Sequence, residues 1–149
     1  MRDSEPTRTY PTRPYLAVSA AIFRDGRVLI VRRARPAHGL HTLPGGVVEL
    51  GETLQEAVIR EVREETGLAI APLQLVGFRE AIARDAAGRV ERHFVILPFA
   101  ARWIEGEISL SEELAEAHWR KPKELADLKT TEGLAEIVAA AAERIALAR

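Results

Sequence analysis

Hydrophobic positions divide the chain into strand-like segments interrupted by helix-like ones. Apolar and β-branched residues fill 15–23 and 28–31 on the two sides of an Asp25-Gly26 turn, a pattern typical of a β-hairpin. Comparable segments at 68–78, 90–103 and 115–119 predict three further strands. Residues 85–88, Asp-Ala-Ala-Gly, are expected to connect two of these strands.

A central segment has the repeat of an amphipathic helix. Apolar residues recur every four positions from Leu54 to Val62, which places them on one face. Thr53 stands where a hydroxyl caps a helix N-terminus, and Gly67 is suited to the left-handed residue that ends one. The spacing therefore predicts a helix over 53–66.

Weaker patterns flank this helix. Residues 32–42 show no periodicity and predict an exposed loop, and the Pro-Gly-Gly at 44–46 predicts a break before a short strand at 47–48. Near the C-terminus, apolar spacing predicts a second amphipathic helix over 131–147. A short helix at 124–128 is expected after a proline that suits a first helical turn.

This order of elements predicts an α/β (α+β) fold in which helices flank a mixed central sheet. The 149 residues are close to the size of one globular domain, and 47% of them are hydrophobic against 29% charged. We interpret 15–149 as a single domain. Residues 1–14, rich in proline and in charges of both signs, predict a flexible N-terminal arm.

Charge and composition exclude several function classes. A formal net charge of −1 removes the basic field that nucleic-acid binding requires, so no nucleic-acid partner is expected. The absence of cysteine excludes disulfides, thiolate metal sites and cysteine nucleophiles. No apolar run reaches the roughly 18 residues of a membrane span, which predicts a cytoplasmic protein without a membrane partner.

Three carboxylates share one face of the central helix. Glu61, Glu64 and Glu65 lie at i, i+3 and i+4, where like charges repel, and Arg60 offsets part of this repulsion. One interpretation is a solvated helix face. The other is a site for Mg²⁺ or Mn²⁺, which prefer carboxylate oxygens, and the glycines just upstream allow close backbone approach to an ion.

The same residues resemble the signature of the Nudix hydrolases, which spans 46–68 here without a gap. The matching positions are Gly46, Glu52, Arg60, Glu61, Val62, Glu64, Glu65, Gly67 and Leu68. The resemblance implies an α/β/α sandwich and the hydrolysis of a diphosphate linkage in nucleoside diphosphate derivatives with Mg²⁺ or Mn²⁺.

By motif position, the resemblance also implies residue roles. Glu61, Glu64 and Glu65 would be metal ligands, together with the backbone carbonyl of Gly45. Arg60 would orient these carboxylates, and Glu52 would hold the loop against the helix. Glu61, Glu64 and Arg60 are thus the motif's candidates for the catalytic machinery.

The catalytic base and the substrate-binding residues are less constrained. The base is either a motif glutamate or Glu113 in a later loop, and that loop is alternatively only an acidic turn. His93 and His118 are further candidate bases, because imidazole can serve as a base near neutral pH, with half-buried strand positions as the alternative. Arg33 is the candidate clamp for substrate phosphates, with a solvated loop as its alternative, and Arg79 is a second candidate substrate contact.

Segments outside the motif resemble the short bacterial ADP-ribose pyrophosphatases, notably 14–18, 28–33, 99–103 and 116–119. This implies the cleavage of ADP-ribose to AMP and ribose 5-phosphate. His41 departs from the tryptophan that many relatives carry before the Pro-Gly-Gly turn. The alternatives are a house-cleaning nucleoside triphosphate pyrophosphohydrolase and a non-catalytic nucleotide-sensing module. A homodimer is a further prediction.

Overall fold

The computed structural model describes residues 8–35 and 39–148. Within these ranges the chain forms eight strands and two helices, which are, in chain order, β1 (Tyr15–Arg24), β2 (Arg27–Arg33), β3 (His41–Thr42), β4 (Gly45–Val47), α1 (Leu54–Thr66), β5 (Ala69–Leu75), β6 (Arg79–Arg84), β7 (Val90–Glu105), β8 (Leu114–Arg120) and α2 (Leu134–Leu147).

A parallel pairing of β1 with β7 forms the centre of the sheet. It runs over nine positions, from Tyr15 opposite Phe94 to Phe23 opposite Arg102. The sheet continues in the order β3-β2-β1-β7-β5, while β4 pairs with β1, β6 with β7 and β8 with β2. These added strands are antiparallel to their partners, so the sheet is mixed, as the sequence predicted.

Each face of the sheet packs against one helix. Alternate residues of β2 contribute to two cores, because successive side chains of a strand point to opposite faces. Leu29 and Val31 lie in the core that contains Val58 of α1. Val28 and Ile30 lie in the core that contains α2. The result is the predicted α/β/α sandwich, with α1 and α2 on opposite sides.

The central helix confirms its sequence signals. Thr53 is the N-cap, and its hydroxyl accepts a hydrogen bond of 3.1 Å from the backbone N–H of Glu56. Gly67 ends the helix at φ 79°, a left-handed conformation that glycine adopts without a steric cost. Val58 and Val62 are fully buried. The acidic residues of α1 are therefore held on a firmly capped helix.

Several predicted boundaries were wrong. The predicted loop 32–42 contains the end of β2 and all of β3, which pair with each other, and the predicted break at 44–46 contains the start of β4. Residues 79–84 form β6, which the pattern missed because much of this strand is exposed. The expected helix at 124–128 is a series of turns.

The described part of the predicted arm, residues 8–14, contacts the β6–β7 hairpin. The Tyr10 hydroxyl donates a 2.8 Å hydrogen bond to Asp85, and the Arg89 guanidinium lies 4.3 Å from the centre of the Tyr10 ring. The rest of the predicted arm, residues 1–7, lies outside the described residues. In the part of the chain that is described, neither helix has the length and apolarity needed to cross a membrane.

Candidate active site

Two glycines of β4, Gly45 and Gly46, allow this strand to pack closely against β1 on one side and α1 on the other. A Cβ atom on Gly45 would overlap the backbone of Val18 and Ser19 in β1, and one on Gly46 would overlap the Glu61 carboxyl group. Close packing of this kind requires glycine because any side chain would occupy the same space. The backbone of β4 therefore lies directly beside the acidic part of α1.

Arg60 connects the loop to the carboxylates of α1. Its Nε and Nη2 donate hydrogen bonds of 2.6 and 2.9 Å to the two oxygens of Glu52, and Nη2 also donates to the Val47 carbonyl at 3.1 Å. Its Nη1 donates to Glu61 at 2.8 Å and to Glu64 at 3.3 Å. The paired guanidinium lowers the pKa of Glu52 to about 2. Arg60 thus orients Glu61 while Glu52 anchors Arg60 itself.

Glu61 is a largely buried carboxylate at the cleft whose surroundings oppose its negative charge. Burial raises the pKa of Glu61, Arg60 opposes this shift, and the negative charges of Glu64 and Glu113 add to it. The side chain of Glu61 is 13% exposed, against 38% for Glu64. A cation bound among these carboxylates would relieve their mutual repulsion.

Glu65 lies beneath the other two acids and is bound by a separate arginine. Its side chain is 2% exposed, and Arg33 Nη1 lies 2.6 Å from its Oε2. The Gly45 N–H donates to Glu65 Oε1 at 2.9 Å, and Arg33 Nη2 donates to the Gly45 carbonyl at 2.9 Å. Burial is the main cause that raises the pKa of Glu65 to about 7. The arginine chosen from sequence as a phosphate clamp is therefore bound to two of the predicted metal ligands.

A cleft of about 770 Å³ opens beside these groups. Its lining includes Glu61 and Glu64 from α1 and Glu113 from the loop before β8, which brings together three acids separated by up to 52 positions in the sequence. Arg79 lines the same cleft, as do backbone and side-chain groups of Gly45, Gly46, Arg33, Arg35, Arg92, Phe94 and Ile96. Glu65 is not among the described residues that line it.

The donor groups at the cleft fit a hard divalent cation. Carboxylates of Glu61, Glu64 and Glu113 and the carbonyl of Gly45 supply oxygen atoms, the ligands that Mg²⁺ and Mn²⁺ prefer. Burial is the main cause that raises the pKa of Glu61, and the negative charges of Glu64 and Glu113 add to it, so a bound cation would favour the ionised form. The arrangement suits phosphate chemistry, in which cations stabilise charge on the phosphoryl oxygens.

The two strand histidines take no part in the cleft lining that is described. His93 on β7 and His118 on β8 are both half-buried strand residues, which was the alternative to a role as catalytic base. His118 Nε2 lies 3.0 Å from Glu116 Oε1. Its strand partner is Ile30, a residue of the core on the α2 side of the sheet.

Sequence reasoning missed two arginines of the cleft, Arg8 and Arg92. Arg92 precedes Phe94 by two positions on β7, so both side chains point to the same face of the sheet. The sequence shows that Arg92 and Phe94 share a face of the strand, but it does not show that this face lines the cleft. Arg8 lies within the predicted arm, where no local pattern indicated a contact with the site.

Comparisons with known proteins agree with this geometry. A family model described as the NUDIX domain matches residues 13–141. An ADP-ribose pyrophosphatase of Methanocaldococcus jannaschii is 37% identical over 119 residues, which cover 79% of this chain and 68% of that protein. The MutT NUDIX hydrolase of Burkholderia pseudomallei has a TM-score of 0.72 at 29% identity, with 85% of this chain and 97% of that chain covered.

A third relative is much longer. The NAD-capped RNA hydrolase NudC of Escherichia coli O1:K1 is 35% identical over 109 residues, which are 72% of this chain and 39% of NudC. The chain thus spans about two fifths of that relative's length. Nudix hydrolases generally depend on divalent metal ions, in agreement with the oxygen donors of the cleft. The family match over most of the chain, on a fold that places the motif acids Glu61 and Glu64 at one cleft, establishes that this chain belongs to the Nudix family and is a Nudix hydrolase.

Proposed function

We propose that the chain hydrolyses ADP-ribose to AMP and ribose 5-phosphate with Mg²⁺, at the cleft between α1 and the β6–β7 strands. The observation that carries this proposal is the lining of that cleft. It combines the acids Glu61, Glu64 and Glu113 with the cations Arg79 and Arg92. Such a lining suits a substrate that presents two linked phosphates between organic groups. The similarity to an ADP-ribose pyrophosphatase supports the same substrate.

In this proposal Glu61, Glu64, Glu65 and the Gly45 carbonyl hold the metal ion. When bound, Mg²⁺ supplies positive charge that offsets the negative charge developing on the phosphoryl oxygens. Arg60 keeps the Glu61 carboxylate in place through its 2.8 Å hydrogen bond. Because Glu65 is already bound by an arginine and a backbone N–H, its contribution requires a rearrangement of the Arg33 side chain.

Glu113 is the proposed general base. It is exposed at the cleft and makes no ion pair within the described ranges, whereas Glu64 is engaged by Arg60 at 3.3 Å. A carboxylate oxygen of Glu113 accepts a proton from water as the water oxygen attacks a phosphorus atom. The phosphoanhydride bond breaks, and its bridging oxygen leaves with the second monophosphate product.

The rest of the cleft would bind the substrate's organic and phosphate groups. Phe94 and Ile96 offer apolar surface from β7, which suits an adenine or ribose face. Arg79 and Arg92 lie on adjoining strands, since β6 and β7 pair directly. Their guanidinium groups would bind phosphate oxygens that the metal ion does not contact.

The test is a substrate panel with purified protein and Mg²⁺. ADP-ribose, other nucleoside diphosphate sugars, NAD and normal and oxidised nucleoside triphosphates are compared by kcat/KM, and products are separated by anion-exchange chromatography. We expect the highest kcat/KM with ADP-ribose and equal amounts of AMP and ribose 5-phosphate. Glu64→Gln should abolish cleavage, whereas Glu143→Gln, an exposed change on α2, should not.

The other outcomes separate the alternatives. Preference for a triphosphate would keep the diphosphate chemistry and overturn the substrate, in line with the similarity to a MutT NUDIX hydrolase. Preference for NAD would favour the activity suggested by NudC. Binding of ADP-ribose without cleavage, in Mg²⁺ and in Mn²⁺, would overturn the catalytic proposal in favour of a nucleotide-sensing module.

A further inference from the structure

A second group of potential metal ligands lies on the α2 side of the sheet. The side chains of His41, Glu116 and His118 each offer one ligand atom, and these atoms all lie within 4.8 Å of one another. The two imidazole rings have centroids 6.1 Å apart. None of the three belongs to the Nudix signature or to the described lining of the cleft. The group is therefore separate from the site described above.

Strand register explains why these three residues meet. Glu116 and His41 both pair with Arg32, on the two sides of β2. His118 pairs with Ile30, two positions earlier on the same strand. Directly paired residues and positions two apart point to one face, and Ile30 places that face on the α2 side. The sheet thus gathers residues that are up to 77 positions apart in the sequence.

His41 provides an independent indication of a ligand. Both of its ring nitrogens are buried, and neither has a hydrogen-bond partner. A buried imidazole ordinarily donates from one nitrogen and accepts at the other, because an unsatisfied buried polar atom is costly. The backbone of His41 is fixed, since its N–H donates to the Lys129 carbonyl and its carbonyl accepts from the Thr131 N–H. The ring is thus held among the other two donors with its own nitrogens unused.

We propose that His41, Glu116 and His118 bind a divalent transition-metal ion of the Zn²⁺ class. Two imidazoles and one carboxylate form a donor set that suits Zn²⁺ and differs from the all-oxygen set at the cleft. His118 Nε2 and Glu116 Oε1 are 3.0 Å apart. Two ligands of a tetrahedral Zn²⁺ at bond lengths of about 2.0–2.1 Å are separated by about 3.3 Å. The spacing of this pair therefore needs little change, and the His41 ligand atom lies within 4.8 Å of both.

The surroundings of Glu116 prepare it for this role. Arg32 Nε binds the second carboxylate oxygen, Oε2, so the group is oriented and its first oxygen faces His118. Outer partners of this kind commonly fix the orientation of metal ligands. The side chains of Glu116 and His118 are both 38% exposed, which leaves room for water as a fourth ligand.

The bound ion would connect two strands that β2 separates. His41 lies on β3, three residues before Pro44, and the other two ligands lie on β8. A metal that joins β3 to β8 would therefore stiffen the segment that leads into β4 and its two glycines. This site does not depend on the proposed substrate, because its ligands lie outside the cleft.

Metal binding is tested in the Glu61→Gln/Glu64→Gln double variant, which removes carboxylates of the cleft. Co²⁺ is titrated while its visible d–d absorption is recorded, and Zn²⁺ is then measured by competition with a chromophoric chelator. We expect one equivalent of Co²⁺, an absorption spectrum typical of tetrahedral coordination, and displacement by Zn²⁺. Adding His118→Gln should weaken Zn²⁺ binding about tenfold or more.

The matched control is His93→Gln, which changes another half-buried strand histidine and should leave the Zn²⁺ affinity unaltered. His41→Gln provides a second test of the same ligand set, and urea unfolding of each variant verifies that it is folded. The proposal is overturned if no Co²⁺ spectrum appears. It is equally overturned if folded His118→Gln binds Zn²⁺ as tightly as its parent, or if His93→Gln weakens binding to the same extent.

Discussion

Replacing Glu52 by glutamine tests whether the link between the loop and α1 stabilises the fold. Glu52 accepts two hydrogen bonds from Arg60, of 2.6 and 2.9 Å, and a third of 2.9 Å from the Glu49 N–H. Glutamine has a similar shape but no charge and only one acceptor oxygen. The substitution therefore removes the ion pair while it preserves the volume of the side chain.

The pKa of Glu52 gives the magnitude of this effect. It falls from an ordinary value of 4.5 to about 2, mainly because of the hydrogen bonds from Arg60. At roughly 1.4 kcal/mol per pKa unit, the ionised carboxylate contributes about 3 kcal/mol to the free energy of unfolding. Glu52 is only 13% exposed, so solvent screens the pair weakly. Because glutamine keeps one acceptor, we expect Glu52→Gln to lose about 2 kcal/mol.

The pH dependence separates this mechanism from a general packing defect. A carboxylate with a lowered folded-state pKa contributes fully above its unfolded value of 4.5, and the contribution disappears as the pH falls towards 2. Urea unfolding of both proteins at pH 7 and pH 3 should show the difference shrinking from about 2 kcal/mol to nearly zero, because protonation of Glu52 removes about 2 kcal/mol of its contribution by pH 3. The control Glu143→Gln should stay within about 0.5 kcal/mol of the unchanged protein. A difference that is constant with pH would refute the reasoning, as would equal losses in the two variants.

Other predictions concern the site itself. Gly46→Ala should displace the Glu61 carboxyl group, because the new Cβ would overlap it; titration calorimetry should show at least about tenfold weaker Mg²⁺ binding, and unchanged binding would contradict this. Arg33→Ala should raise the pKa of Glu65 further above its ordinary range, because it removes the 2.6 Å ion pair. In steady-state kinetics we expect kcat to fall at constant KM, since Arg33 then positions Glu65. A rise in KM alone would instead indicate that Arg33 binds the substrate phosphates. Glu113→Gln should lower kcat by about 10²-fold or more; an unchanged kcat would assign the base elsewhere. Chelation of divalent ions by EDTA should abolish turnover, and added Mg²⁺ should restore it; activity that persists in EDTA would contradict metal dependence.

Local signals in the sequence were enough to predict α1 and its two ends. Thr53 and Gly67 act within one turn of the helix that they cap, so their roles depend on neighbouring residues alone. The sequence drew attention to the glycines at 45–46, but it did not show which close contacts require them. Glycine is required at position 45 because the backbone of Val18, 27 positions earlier, lies where a Cβ atom would be. Residues close to Gly45 in the sequence give no sign of this contact.

Long-range pairing accounts for what the sequence could not give. Arg33 lies 32 positions before Glu65, and only the assembled sheet and helix bring the two together. In the same way, the sequence shows that His41 stands where many relatives have tryptophan, but only the folded sheet places His41 beside His118 of β8. The signature thus identified the acidic residues of α1, but only the folded structure shows that Glu61 and Glu64 line the cleft and Glu65 does not.

The parallel pairing of β1 with β7 has a consequence for the order of folding. The strands are joined over nine positions, yet Tyr15 and its partner Phe94 are 79 positions apart in the chain. Closing so large a loop is entropically costly and slows folding. During synthesis, α1 leaves the ribosome before β7 exists, and β1 lacks its longest partner until then. We therefore expect the cooperative transition to wait until β7 is complete, and a nascent chain that stops at residue 89 to remain sensitive to protease.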